Sequence, residues 1–329
     1  MNPPEHRDIF QITSEKEFNE ICLKVFRYQA HQNQVYAEYL SHLSCSINSV
    51  KALEDIPFLP IELFKTREIF CKKPSGTEVI FSSSGTTGST ASKHIVKAVE
   101  IYKESFLSAF ELFYGKPQNF RILALLPSYL ERSDSSLVYM VDNLIKKSRH
   151  PESGFFLDNL DELRRILSKK SPAKTLLIGV SFALLDFIEK GRINLENTIV
   201  METGGMKGRR EEITRTELHK ALTDGLGVHS IHSEYGMTEL LSQAYSNGDG
   251  IFLTPPWMKV FIRDPNDPMT FVSDKKSGGI NVIDLANLYS CSFIATSDLG
   301  KKHPDEAFEV LGRFDYSDIR GCNLMVAMD

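Results

Sequence analysis

From about residue 76 onward, short apolar runs alternate with amphipathic helical stretches, and this alternation constrains the fold more than any other feature of the chain. The runs that read as strands are Glu78–Phe81, Arg121–Leu126, Thr175–Val180, Thr198–Met201, Gly227–Ile231, Ile280–Asp284, Ser292–Ala295 and Phe308–Leu311. Helical segments separate several of the earlier ones. Strand–helix alternation is the signature of an α/β fold with mostly parallel sheets and helices on their faces. After about residue 250 the strands lack intervening helices, which predicts antiparallel hairpins or a second small sheet. The first 75 residues differ: Phe18, Ile21, Cys22, Val25 and Phe26 share one helical face, and Tyr36, Tyr39, Leu40 and Leu43 continue the pattern. Pro57 and Pro60 then break it. The expected division is a helical portion over 1–75, an α/β domain over 76–300 and a C-terminal segment over 301–329.

Charge and cysteine usage exclude several function classes. With 43 acidic and 38 basic residues the net charge is −5, which argues against a general nucleic-acid binder. Cys22, Cys45, Cys71, Cys291 and Cys322 are odd in number, widely spread and free of any CxxC pair. A disulfide framework or structural zinc site is therefore not expected, and a reducing cytosol is. The N-terminus has no apolar core of a signal peptide, and the apolar stretch Thr175–Leu185 is too short to span a bilayer before Asp186. A cytoplasmic protein that does not span the membrane is the expectation.

The segment richest in chemistry runs from Ser82 to Ser92, where every residue is Ser, Thr, Gly or Ala. Upstream lies the β-rich Glu78–Phe81. Downstream is a helix with Val99, Tyr102, Phe106, Ala109 and Phe113 on one face. A strand, a glycine-and-hydroxyl loop and a helix N-terminus together form an anion cradle, because backbone N–H groups and hydroxyls converge where the helix dipole is positive. The alternative is a flexible low-complexity linker. The loop is not a Walker A loop, since no Gly-Lys-Ser/Thr follows at the required spacing, and no GxGxxG is present.

Ser83-Ser84-Gly85-Thr86-Thr87-Gly88 resembles the phosphate loop of adenylate-forming enzymes such as acyl-CoA synthetases, and three further motifs follow in that superfamily's order. Glu234-Tyr235-Gly236-Met237-Thr238-Glu239 resembles its aromatic-Gly-x-Thr-Glu motif. Ala295-Thr296-Ser297-Asp298-Leu299-Gly300 resembles its Thr-Gly-Asp segment, with Ser297 in place of glycine. Gly312-Arg313-Phe314-Asp315 resembles its Gly-Arg-x-Asp hinge. Within the superfamily, Leu126-Pro127-Ser128-Tyr129-Leu130-Glu131-Arg132 and the ending Ile319-Arg320-Gly321-Cys322-Asn323-Leu324 resemble the acyl-protein synthetases of LuxE type, the fatty-acid-activating component of a luminescence reductase complex.

That resemblance implies an ATP-dependent ligase with Mg²⁺ as cofactor and a fatty or other carboxylic acid as substrate. It implies that Ser83, Ser84, Gly85, Thr86, Thr87 and Gly88 wrap the phosphates, that Tyr235 beside Gly236 stacks on adenine, and that Thr238 bonds the α-phosphate. Glu239 would hold Mg²⁺, Asp298 the ribose hydroxyls, and Arg313 the ribose or phosphate. Gly204 and Gly205 would border the adenine and acyl sites, and Ser128 and Arg132 would contact the acyl carboxylate. Cys322 would accept the acyl group as a thioester and pass it to a reductase partner. His94, His229 and His232 are read as structural, Cys22, Cys45, Cys71 and Cys291 likewise, and a homo-oligomer stays open.

Two departures from the superfamily pattern bear on this. Lys93 lies five residues after Gly88, whereas the superfamily lysine lies three after its glycine. The superfamily also continues well past the hinge into a small mobile domain that carries an adenylation lysine, while this chain stops eight residues after Gly321. The expected fold is thus that of the large N-terminal domain without the mobile one. Two other readings remain at this point: a ligase making a coenzyme A or carrier-protein thioester, and a catalytically weak homologue that binds nucleotide or a partner.

Overall fold

The computed structural model describes residues 2–72, 78–83, 90–126, 134–156, 159–204, 213–273 and 275–314. The chain begins with α1 (His6–Phe10), α2 (Glu15–Gln32) and α3 (Gln34–His42). A full capping box starts α2: the Ser14 hydroxyl accepts the Glu17 N–H while the Glu17 carboxylate takes the Ser14 N–H. Two-residue β1 (Leu59–Pro60) and α4 (Leu63–Thr66) lead to a hairpin of β2 (Val79–Ser82) and β3 (Lys93–Val96), and then to α5 (Val99–Tyr114).

The central part alternates up to β8: β4 (Phe120–Leu125), α6 (Ser136–Ser148), β5 (Gly154–Phe155), α7 (Leu160–Leu167), β6 (Lys174–Val180), α8 (Ser181–Glu189), β7 (Thr198–Thr203), α9 (Arg215–Leu226) and β8 (Ile231–Tyr235), followed by β9 (Ala244–Ser246). These strands form one sheet in the order β5-β4-β6-β7-β8-β9, parallel except for β9. Helix α6 lies against β4, α8 against β6 and β7, and α9 against β8. Because both faces are covered, β4 is buried at every position and β6 and β7 nearly so, which is why their sequences read as continuous apolar runs.

The remaining strands are β10 (Ile251–Phe252), β11 (Met258–Arg263), β12 (Ser277–Asp284), β13 (Phe293–Lys302) and β14 (Phe308–Arg313). They build a second, antiparallel sheet in the order β10-β14-β13-β12-β11, with β1 pairing parallel to β13. The expected α/β architecture with a second sheet after residue 250 is therefore present. No helix among the described residues is long and apolar enough to cross a membrane.

Three expectations need correction. The Ser/Thr/Gly loop does not run directly into a helix: β3 intervenes and returns antiparallel to β2, Phe81 facing His94 and Ser82 facing Lys93. The strand expected at Gly227–Ile231 starts where it was to end. Gly227 has φ +64° and caps α9, and a Cβ there would stand 2.2 Å from Asn194 Oδ1. Strand β13 runs seven residues beyond Ala295 to Lys302, since β12 and β14 pair with its polar half. It therefore crosses the boundary expected at residue 300. At the break expected near Pro57 and Pro60, Leu59–Pro60 forms a strand edge on Ile294–Ala295.

Candidate functional site

In an open parallel sheet, sites form beyond the C-terminal ends of the strands, where loops diverge. Here β6, β7 and β8 are followed at once by Ser181, Gly204 and Gly236. The Ser181 hydroxyl donates to the Gly204 carbonyl at 2.7 Å, and Gly204 takes φ +69°, which favours glycine. Glu202 at the end of β7 faces Arg215 Nε at 3.5 Å and His219 Nε2 at 3.6 Å. One register step on, Thr203 pairs with Glu234 across to β8, and the Thr203 hydroxyl donates to the Glu234 carboxyl. Burial pushes that carboxyl up to about 7. A Cβ at Gly236 would sit 2.4 Å from Glu234 Oε1, so a side chain there would displace that carboxyl.

Tyr235 closes β8 and reaches toward the second sheet. Its phenol donates to Asp298 Oδ2 at 2.9 Å, and its ring meets Phe252 and Phe308 edge-on at 5.9 and 5.5 Å. Asp298 lies inside β13 rather than in a turn, directly across from Arg313 on β14, and Arg313 Nε stands 3.4 Å from Asp298 Oδ1. Burial raises the Asp298 carboxyl, while Arg313 and the Tyr235 phenol oppose that shift. The Arg313 side chain is 83% exposed, so its guanidinium is open to a further anionic partner. The Tyr235 ring, expected to stack on a base, is 7% exposed and holds Asp298.

After Gly236 the chain turns through Thr238 and Glu239. The Thr238 carbonyl accepts from His94 Nδ1 at 2.8 Å, which ties the turn to β3. Asn287 Nδ2 donates to the Glu239 carbonyl at 2.8 Å, and Asp284 accepts the N–H groups of Leu241 and Ser242 at 2.7 and 2.9 Å. Burial raises the Glu239 carboxyl, and the Ser92 hydroxyl opposes the shift. Ser83 closes the stem of the Ser/Thr/Gly loop: its N–H donates to the Ser92 carbonyl at 3.0 Å, and its hydroxyl accepts the Ser92 N–H at 2.9 Å.

Of the residues singled out by sequence, Ser83, Gly204, Tyr235, Gly236, Thr238, Glu239, Asp298 and Arg313 are described. Tyr235, Asp298 and Arg313 form one bonded cluster that spans both sheets, and Gly236, Thr238 and Glu239 follow it along the chain. Ser84, Gly85, Thr86, Thr87, Gly88, Ser128, Arg132, Gly205 and Cys322 lie outside the described residues. Sequence reasoning missed Thr203, Glu234 and Arg215. Arg215 packs over the Phe252 ring at 5.1 Å and donates to the Val310 carbonyl of β14 at 2.9 Å, fastening α9 to the second sheet. No local pattern marks such a residue, because its partners lie far away in sequence. Among the described residues no cluster of three or more His, Cys, Asp or Glu side chains could hold a metal ion, and Glu239 is the expected metal residue present.

Comparison with known proteins agrees with this arrangement. Residues 9–329 match the sequence profile of the family described as "Acyl-protein synthetase, LuxE". A long-chain-fatty-acid–luciferin-component ligase from Aliivibrio fischeri is 21% identical over 341 residues, covering 94% of this chain and 87% of that protein. A ligase of the same name from Vibrio harveyi is 23% identical, covering 92% and 85%. Among solved structures, 2-hydroxyisobutyryl-CoA ligase in complex with 2-HIB-AMP and CoA superposes with TM-score 0.65 at 12% identity, covering 93% of this chain and 72% of that one. ATP-bound MatB from Rhodopseudomonas palustris gives 0.57 at 18% identity over 73% of this chain, which spans about half (49%) of MatB's length. The fold is thus that of adenylate-forming ligases, and the chain belongs to the acyl-protein synthetase family LuxE.

Proposed function

We propose that the protein activates a long-chain fatty acid with ATP as the acyl-adenylate and then transfers the acyl group to the thiol of Cys322. The observation that carries this reading is the joined set Tyr235–Asp298–Arg313. It stands beside the Thr238–Glu239 turn and the stem of the Ser/Thr/Gly loop, in a chain whose curated relatives are named as fatty-acid ligases.

A carboxylate is a poor electrophile, so the first step makes it a better one. An oxygen of the acid attacks the α-phosphorus of ATP, the bond to the bridging oxygen breaks, and pyrophosphate leaves. Little covalent work falls to the protein, and positioning with charge stabilisation supplies the rate. Ser83, Ser84, Gly85, Thr86, Thr87 and Gly88 take the β- and γ-phosphates. The Thr238 hydroxyl bonds the α-phosphate, and the exposed Arg313 guanidinium meets developing charge as a fork donor. Asp298 accepts the two ribose hydroxyls, held in place by the Tyr235 phenol. Gly204 and Gly205 leave room for a planar group, and Ser128 and Arg132 face the acid.

The Glu239 donor set fits Mg²⁺. It is one carboxyl whose burial disfavours its charge, and a cation bound largely by nucleotide phosphates would restore that charge. Bound there, Mg²⁺ would neutralise phosphate charge. In the second step the Cys322 thiol gives its proton to solvent, the thiolate attacks the acyl carbonyl, the bond to the phosphate oxygen breaks, and AMP leaves. The acyl thioester is then ready for a reductase partner in the cytoplasm.

Exchange of labelled pyrophosphate into ATP, dependent on a fatty acid, tests the first step. Absence of exchange across acids of graded chain length would overturn it. Intact-mass spectrometry after incubation with ATP and acid tests the second. The expected adduct is one acyl group, lost in Cys322→Ser with exchange retained. Exchange with no adduct, and acyl-CoA formed when coenzyme A is added, would move the acceptor from Cys322 to coenzyme A.

A further inference from the structure

The turn that carries Thr238 and Glu239 is gripped from two sides. Asn287 and Asp284 hold it from the second sheet, through the Glu239 carbonyl and the Leu241 and Ser242 N–H groups. On the other side β3 holds it through one residue. His94 is fully buried, its ring edge-on to Phe64 at 5.6 Å, with Nδ1 2.8 Å from the Thr238 carbonyl oxygen. A carbonyl only accepts, so Nδ1 carries the hydrogen and the tautomer follows. Nε2 is then a bare lone pair, and it is buried with no hydrogen-bond partner among the described residues.

A side chain wanted only for volume would not leave a nitrogen stranded in the core, because an unsatisfied buried polar atom is costly. What the imidazole supplies that leucine would not is its bond to Thr238. Two residues earlier, just before β3 begins, Ser92 exchanges hydrogen bonds with Ser83 at the mouth of the Ser/Thr/Gly loop, and its hydroxyl acts on the Glu239 carboxyl.

We propose that His94 is a positioning residue for the nucleotide: it clamps the Thr238 carbonyl to β3, and so fixes the Thr238 hydroxyl and Glu239 carboxyl relative to the stem of the Ser/Thr/Gly loop. One face of the nucleotide site is thereby registered against the other before ligand arrives. This rests on the adenylating reading of the site, and its consequence for ATP follows only if that reading holds. The clamp itself is a property of the free protein.

Three substitutions separate the bond from the bulk. His94→Asn places an amide near the Nδ1 position, where it can donate to Thr238. His94→Gln places it near Nε2, out of reach, and His94→Leu keeps only volume. Hydrogen–deuterium exchange of the ligand-free proteins over residues 236–242 tests the clamp directly. Faster exchange is expected in H94Q and H94L, and near-wild-type exchange in H94N. Calorimetry with Mg²⁺ and ATP, without acid, is expected to show affinity weakened roughly tenfold in H94Q and H94L and less than about threefold in H94N. In the exchange assay KM for ATP should rise with KM for the acid unchanged, a split that general destabilisation would not produce. Wild-type protection of 236–242 in the folded H94Q or H94L protein would overturn the clamp. Equal impairment of all three variants would overturn it as well, since the bond would then not be what matters. Should the wild-type protein bind no ATP, the adenylating reading fails, and deuterium exchange still decides the clamp.

Discussion

Glu234 shows how a single buried group sets a pH dependence. Its carboxyl bonds the Thr203 hydroxyl, and burial raises it from the ordinary 4.5 to about 7. Glu202 adds like charge, and the rings of Tyr102, Tyr114 and Tyr245 lie around it. Between these two values the folded protein keeps a proton that the unfolded chain has released. Burying the carboxyl therefore costs little below about pH 4.5, and the cost grows as pH rises and is complete above 7. At about 1.4 kcal/mol per pH unit the full cost is roughly 3 kcal/mol. Glu234→Gln removes the titration and can keep the bond to Thr203. The variant is expected to melt higher than wild type at pH 8, with the difference shrinking toward pH 5, as calorimetric melts at both pH values would record. Equal differences at the two pH values would mean that the carboxyl is ionised within the fold. In the sequence this residue was silent. Tyr235, Thr238 and Glu239 were legible because they stand in a spaced motif. Glu234 is one acid in a five-residue strand, and only the register with Thr203 shows that its side chain has nowhere else to go.

At the scale of elements, legibility followed length and burial. Strands β4, β6 and β7 are long, covered on both faces and apolar over most of their length, so their residues announced them. Strand β3 has four residues, starts with an exposed Lys93 and contains His94, so neither apolar run nor alternation marks it; the strong helical face from Val99 overshadowed it. The same limit hid the polar half of β13, where Asp298 sits in a ladder rather than in a turn. Strand β12 was legible but its function at its end was not. Asp284 accepts from the N–H groups of Leu241, Ser242 and Ala286 and from the Ser242 hydroxyl, with oxygens between 2.6 and 3.1 Å from their donors. It thereby ties the end of β12 to the segment following Glu239. Asp284→Ala would strand those donors in the core. At about 1–3 kcal/mol for each unsatisfied buried group, with water reaching some of them, a loss of roughly 3 kcal/mol or more is expected. Urea unfolding measures it, and a loss under about 1 kcal/mol would show that the segment relaxes onto other partners.

For the molecule as a whole, the first 75 residues are the part that the sequence described least well. Their helices were legible from periodicity, and their attachment was not, since the buried hydrogen bonds that tie them to the second sheet span most of the chain. The Gln29 amide donates to the carbonyls of Asn287 and Leu288 and to the Ser292 hydroxyl, at 2.9–3.0 Å, and its oxygen accepts the Ser292 N–H. Asn33 donates to the Ser290 carbonyl, and the Tyr36 ring stacks on Phe293 with centroids 5.9 Å apart. Leu59 and Pro60 extend the second sheet beside β13, the strand that carries Asp298. The helical portion therefore packs against the second sheet, and β13 is held by it through β1 and the buried ring of Tyr36. Two consequences can be measured. Gln29→Leu would leave buried carbonyls and an N–H without partners, and is expected to destabilise the whole chain by roughly 3 kcal/mol while unfolding stays a single transition. A fragment starting at residue 76 would expose Phe293, Ile294 and the other apolar residues that α2 and α3 cover. It is expected to bind hydrophobic dye and to melt without a cooperative transition. A cooperative melt from that fragment would instead make residues 1–75 an appendage, and would free β13 and the Asp298–Arg313 pair from any dependence on them.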